Sequence, residues 1–263
     1  DEKVALARTE VAGVYICGAC HGPKDIPESV EQAGAAAEEA GIWLATQSVA
    51  KQLDTAVVTK DLCNGCGLCV AACPSHAISF DEAGSCVVVD EVRCQACGEC
   101  MAICPVGAIG PLNANPPVFD AAVKGLLGNS VEGPDSVIVG FACQECSYRA
   151  IDEAGEERLQ YPADLHIIDV PCTGSISAPK ILQTLEVGAD GVILFACESE
   201  LCHHGRGAKM ANNRAHVVRA VLSESGGFPD QVQVVQMIGR DAHEFAEAAR
   251  RAVKVITKAR NGG

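Results

Sequence analysis

The stretch from Cys63 to Pro105 constrains this chain more than any other. It reads CNGCGLCVAACP and, after a short insert, CQACGECMAICP. Each half is C-x2-C-x2-C-x3-C-P, so the same loop is written twice. Thiolates are soft ligands that suit iron–sulfur clusters and zinc. The close spacing forces the loop to turn tightly and present three sulfurs to one centre, and the proline after the fourth cysteine ends any local helix. Eight cysteines in this doubled order favour two iron–sulfur cubes over a pair of zinc knuckles.

The run resembles that of bacterial-type two-cluster ferredoxins, in which the fourth cysteine of each half ligates the other cluster. The resemblance assigns Cys63, Cys66, Cys69 and Cys104 to one 4Fe–4S centre, and Cys94, Cys97, Cys100 and Cys73 to a second. The internal repeat, CNGCGLCVAACPSHAISF against CQACGECMAICPVGAIGP, supports a two-fold domain over residues 51–112, with Val87–Val89 as one of its strands. Cys86 falls outside both runs and reads as a core or surface thiol. His76 reads as a plain loop residue, with tuning of a cluster potential as the rival role.

Composition narrows the setting. A formal charge of −14 argues against a nucleic-acid or anionic-membrane partner, because phosphate binding needs a basic face. Sixteen cysteines in 263 residues could signal disulfides, but disulfide scaffolds usually run to about 80 residues or fewer. Cluster-ligand spacing instead implies a reducing compartment, hence the cytoplasm. No apolar run approaches the roughly 18–20 residues that span a bilayer, so direct membrane insertion is not expected.

Residues 1–50 read as a strand over Val11–Ile16, a glycine-containing turn over Gly18–Pro23, and an alanine-rich helix over Ile26–Ala40. The passage Thr9–Ala19 followed by GPKDIPESV resembles the closing FAD segment of two-dinucleotide-binding flavoproteins, and more closely that of the A component of heterodisulfide reductase. The resemblance implies that Gly18, Ala19, Gly22, Pro23, Lys24 and Asp25 face an FAD. Cys17 and Cys20 are read first as buried or incidental thiols and second as a redox pair. No G-x-G-x-x-G follows an early strand, so these residues form only the tail of a flavin-binding α/β domain. The expectation is a chain that is the C-terminal part of a longer polypeptide, or a flavin site completed by a neighbour.

Residues 113–133 are rich in Pro, Gly and Asn and read as a linker with a short helix carrying Phe119, Ala122, Val123, Leu126 and Leu127 at helical spacing. From 134 to 263 the pattern alternates. Apolar strands are expected at Val137–Ala142, Leu165–Val170, Gly191–Ala196 and Gln231–Gln236. Helices are expected near 147–154, 178–187, 207–225 and 241–259, the last opening on a capping box of Asp241 with Glu244. The fold class is therefore α/β with α+β, a two-cluster ferredoxin domain followed by an open parallel-sheet α/β domain with helices on both faces.

In this last domain Cys143, Cys172 and Cys197 each follow a strand, while Cys146 and Cys202 lie on the following loop or helix start. Ligands of open parallel sheets collect at the carboxyl ends of strands, so the sulfurs should converge there. Spacing alone leaves a 2Fe–2S cluster, a tetrathiolate zinc and a Cys143–Cys146 disulfide relay open. His203 and His204 read as exposed loop residues.

The passages FACQECSY, LQYPADLHIIDVPCTGSI and GADGVILFACESELCHH resemble the delta subunit of the methyl-viologen-reducing hydrogenase. This resemblance implies a 2Fe–2S cluster on four of Cys143, Cys146, Cys172, Cys197 and Cys202. It also implies electron transfer between a hydrogenase or formate dehydrogenase and a heterodisulfide reductase-like complex, with flavin-based electron bifurcation as the wider reaction. A similar domain order in the B component of the quinone-interacting membrane-bound oxidoreductase makes a quinone-linked membrane protein the alternative partner. A zinc-binding docking scaffold is the reading from another class. No residue reads as a catalytic acid, base or nucleophile.

Overall fold

The computed structural model describes residues 14–46, 55–111, 116–128, 136–238 and 241–261. The chain forms two compact units, Asp1–Gln52 and Leu53–Gly263.

In the first unit a 3-10 turn, Gly18–His21, precedes helix α1, Ile26–Thr46. Of the expected strand, residues 11–13 lie outside the described residues, and Tyr15 forms only an isolated bridge. Helix α1 runs past its expected end at Ala40. A single interior glycine such as Gly41 costs only about 1 kcal/mol relative to alanine, too little to stop a helix that continues into IWLAT without a proline. Its start is fixed by a reciprocal cap: Glu28 N donates to Asp25 Oδ1 (2.8 Å) and Asp25 N to Glu28 Oε2 (3.2 Å).

The second unit opens with the cysteine-repeat part. Strand β1, Ala56–Val58, pairs antiparallel with β4, Ile109–Pro111; β2, Ile78–Phe80, pairs antiparallel with β3, Val87–Val89. Short helices α2, Leu68–Ala72, and α3, Glu99–Ile103, each carry the third cysteine of a triplet, Cys69 and Cys100. The internal repeat is therefore a structural one. Gly67 and Gly98 precede the helices in the left-handed conformation, at φ 71° and 76°, which glycine adopts at no steric cost. His76 also takes a positive φ of 51°, where its repeat partner Gly107 takes 64°. That makes His76 a turn residue, in keeping with its reading as a plain loop histidine.

Next, α4, Pro116–Gly128, packs Val123 and Leu127 into the core of the following sheet. The helix placed in a linker thus contributes to the sheet's core, and the expected boundary near residue 133 lies outside the described residues. The sheet comprises β5, Ile138–Cys143, β6, Leu165–Val170, β7, Gly191–Cys197, and β8, Val232–Met237. All pairings are parallel, in the order β6-β5-β7-β8.

The central strands β5 and β7 are buried along their whole length, as a sheet covered on both faces requires. One face packs against α5, Ser147–Glu156, and α8, Ala242–Asn261; the other against α6, Ala178–Glu186, and α7, Gly207–Glu224. Helix α8 buries Phe245, Ala248, Ala249, Ala252 and Ile256, the stripe expected from sequence. Its start is capped by Asp241 Oδ1, which accepts from Glu244 N at 2.8 Å. Among the described residues, no helix is long and apolar enough to cross a membrane.

Candidate metal centres

The strand order decides where the last five cysteines meet. From β5 the chain steps to β6 on one side and then returns to β7 on the other, so the crevice between the carboxyl ends of β5 and β7 is the sheet's switch point. Cys143 is the last residue of β5 and Cys197 the last of β7. Cys146 occupies the N-cap position of α5, and Cys172 that of the 3-10 turn Thr173–Ser175 beyond β6. Cys202 ends the turn Ser199–Leu201 that follows β7.

The sulfurs of Cys143, Cys146 and Cys197 all lie within 4.8 Å of one another. Cys146 Sγ is 2.7 Å and Cys143 Sγ 3.5 Å from Cys197 Sγ, and Cys172 and Cys202 complete the network through contacts with Cys143 and Cys197. Four of the five thiols are buried and Cys202 is half-buried; all are free thiols.

Crowding sulfurs in this way divides their protons unequally. Thiols donated by Cys146, Cys172 and Cys197 hold Cys143 far below the usual thiol range. Cys202 is lowered by the thiols of Cys172 and Cys197, aided by backbone N–H groups of His204 and Ala208 at the start of α7. Their donors shift the other way: Cys172 and Cys197 are raised chiefly because they give their protons to Cys143, and Cys146 is pushed up to about 11 for the same reason. The thiolate is the form that binds metal. Gly207, the first residue of α7, lies over Cys172 so closely that a side chain there would collide with Cys172 Sγ; Cys202 Sγ is 3.6 Å from the same point. Donors of one soft type, buried and closely gathered, fit an iron–sulfur or tetrathiolate metal centre.

The paired cysteine runs bring Cys73 to the second triplet. A cavity is lined by Cys73, Cys94, Cys97 and Cys100, with Pro74, Ala77 and Met101 in its wall. Cys104 and Cys66 instead each act electrostatically on Cys69. The fourth thiols are held alike, since Ala77 N donates to Cys73 Sγ and Ala108 N to Cys104 Sγ, each at 3.2 Å. Burial raises Cys69 and Cys97, and pushes Cys100 up to about 12. Cys63 differs. Backbone N–H groups of Gly65 and Val87 lower it, and it contacts Cys86, whose own thiol is raised by burial and by that contact. Sequence reading set Cys86 apart as a core or surface thiol; the structure buries it beside a predicted ligand.

Between the two parts of this unit lies a charged junction that sequence reading missed. Glu99 is 1% exposed, and its Oε1 sits 3.1 Å from Arg206 Nε, off the line of a hydrogen bond. Burial raises its carboxyl, while Arg206 and Arg214 pull it back down. Arg214, also buried, donates to the carbonyls of Gly174 and Ile176. Only the substitution of Glu99 for its repeat partner Leu68 gave a signal in the sequence.

In the first unit Gly18 and Gly22 have φ of 68° and 122°, forming an open turn ahead of α1. Gly18 N donates to Gln32 Oε1 at 3.0 Å, and the carboxylate of Asp25 is occupied in capping α1. Ala19 lies within the 3-10 turn, with Pro23 and Lys24 between that turn and α1. Cys20 is exposed and Cys17 half-buried, so they are not a buried pair. His203 is exposed, as expected, but His204 is half-buried with an unpartnered Nδ1 among the described residues.

Comparison with known proteins matches residues 138–259 to the family "Methyl-viologen-reducing hydrogenase, delta subunit" and residues 62–108 to the "4Fe-4S dicluster domain". The chain is 36% identical over 110 residues to an F420-non-reducing hydrogenase iron-sulfur subunit of Archaeoglobus profundus, covering 42% of this chain and 80% of the relative. It is 31% identical over 124 residues to the corresponding iron-sulfur subunit of Methanocaldococcus jannaschii, covering 47% of this chain and 92% of the relative. It is also 32% identical over 254 residues to the A component of the Ferredoxin:CoB-CoM heterodisulfide reductase of Methanosarcina mazei, a match that covers 97% of this chain. The chain spans about a third (32%) of the length of that component.

Proposed function

The chain belongs to the family of the methyl-viologen-reducing hydrogenase delta subunit, joined here to a 4Fe–4S dicluster domain, and on that premise we propose that it is the electron-transfer part of a multi-subunit, heterodisulfide reductase-like oxidoreductase. Cys63, Cys66, Cys69 and Cys104 would hold one 4Fe–4S cluster, Cys94, Cys97, Cys100 and Cys73 the second, and four of Cys143, Cys146, Cys172, Cys197 and Cys202 a 2Fe–2S cluster. Such clusters supply one-electron transfer at potentials set by charge, hydrogen bonding and solvent exposure.

The observation that carries this reading is the gathering of the five C-terminal thiols at the switch point of the sheet, in the same compact unit as the doubled cysteine run. The chain's own residues bind and shield. The buried ends of β5 and β7 keep water from Cys143 and Cys197, the N–H groups of Ala208 on α7 and of His204 before it favour the Cys202 thiolate, and Ala77 and Ala108 donate to Cys73 and Cys104.

The turn carrying Gly18, Ala19 and Gly22–Asp25 would contribute one wall of an FAD site, whose remainder comes from outside the described residues. Its support is the positive-φ glycines and the N-terminus of α1, which leave backbone close to a ligand. A hydrogenase-type donor is favoured by the hydrogenase iron-sulfur relatives. A formate dehydrogenase or a quinone-linked membrane protein would appear instead among the copurifying polypeptides. Within the assembled complex, flavin-based bifurcation in the cytoplasm is the wider reaction this part would serve.

The test is a complex assembled with protein carrying both Cys143→Ser and Cys197→Ser, which leaves three of the five thiols. Loss of electron flow with the polypeptide composition unchanged is the expected result. Flow at the full rate would make the domain a docking scaffold.

A further inference from the structure

The two halves of the cysteine repeat are alike in backbone and unlike in what they touch. A side chain at Gly67 would meet Phe80, 2.8 Å away in the same part of the chain. At the equivalent Gly98 it would meet Ser175 Cβ at 2.6 Å, and Ser175 belongs to the turn that begins beside Cys172. The next residue repeats the contrast. Leu68 is 46% exposed, whereas Glu99, its counterpart, is 1% exposed.

Glu99 meets charge from both sides of the Cys172–Cys202 pair. Arg206, 42% exposed, stands between Cys202 and α7. Arg214 reaches from α7 to the carbonyls of Gly174 and Ile176, and Gly174 N in turn donates to Cys172 Sγ at 3.4 Å. A carboxyl this deeply buried stays ionised only where opposite charge compensates it. Arg214, buried beside it, is compensated by Glu99 and by Cys172.

We propose that Glu99, Arg206 and Arg214 form a positioning clamp that fixes the triplet Cys94, Cys97 and Cys100 against the loops bearing Cys172 and Cys202. The centre held by that triplet with Cys73 is then the neighbour of the C-terminal centre, and the one held by Cys63, Cys66, Cys69 and Cys104 is the distal one. This deepens the functional reading above and rests on it for the identity of the centres, but not for the clamp itself.

Two readouts on the full chain separate the two. Amide hydrogen exchange needs no cluster. In both Glu99→Gln and Arg206→Gln proteins, residues 173–177 and 99–103 should exchange about tenfold faster than in the unaltered chain, while the strands of the sheet keep their protection. Arg206→Lys, which keeps the charge, should restore most of it. Should Glu99→Gln fail to fold, Arg206→Gln decides alone, and unchanged exchange there overturns the clamp.

The second readout is magnetic broadening of the C-terminal centre's EPR signal in the reduced, fully loaded chain. It should be lost in Cys97→Ser protein and kept in Cys66→Ser protein; the reverse result overturns the assignment of neighbours. If no such centres exist, the functional reading fails while the exchange result still stands.

Discussion

Cys197→Ser protein should lose the C-terminal centre and keep both cubane signals. Cys197 lies at the middle of the thiol network, 2.7 Å from Cys146 Sγ and 3.5 Å from Cys143 Sγ, on a strand that is buried throughout. Serine preserves the shape of the site but replaces a soft sulfur by a hard, rarely ionised oxygen. Strand β7 is held by parallel pairing on both edges, to β5 and β8, so the fold should survive the change. The check is iron and acid-labile sulfide content alongside reduced-state EPR. Loss of the cubane signals as well, or retention of all signals, would contradict the assignment.

Phe245→Ala should lower the stability of the sheet domain by about 3–5 kcal/mol. Phe245 is fully buried at the face where α8 meets the sheet. Its ring stands edge-on to Tyr161 at 5.2 Å between centroids and tilted against Phe195 at 5.4 Å. Phe195 adjoins Ala196 and Cys197 on β7, so the same packing that stabilises the domain also sets the strand end carrying a thiol. Urea denaturation followed by far-ultraviolet circular dichroism should show a lower midpoint with an unchanged slope. A change under about 1 kcal/mol would mean that the cavity collapses around neighbouring alanines such as Ala249, and that α8 is held elsewhere.

The parts legible in the sequence were those written in spacing and period. The doubled cysteine run fixed a two-fold unit because each residue type occupies a forced position in a tight loop. The apolar runs at 165–170 and 191–196 predicted strands to within one residue, since both lie in a sheet covered on two faces. Convergence of the five C-terminal cysteines followed from the carboxyl-end rule of parallel sheets once their places after strands were noted.

What escaped depends on contacts between distant segments. Nothing near Cys86 in sequence shows that it will lie against Cys63, because the turn at Cys63–Gly65 packs against Ser85–Val87 and brings them together. Burial of Glu99 depends on Arg206 and Arg214, more than a hundred positions away. The helical spacing of Val123 and Leu127 marks the helix at Pro116–Gly128 as one that packs, but not that its partner is the sheet's core. Asp25 is a different case. Its capping box with Glu28 is written in D-I-P-E, an acidic residue three positions before a glutamate at a helix start.

The most direct test of the electron-transfer reading is metal and sulfide analysis of the anaerobically isolated chain, read together with EPR during stepwise reduction. The account predicts three distinguishable iron–sulfur signals, two from cubanes and one from a 2Fe–2S centre, with no stoichiometric zinc. Zinc bound at the five-thiol site, with only the two cubane signals present, would contradict it.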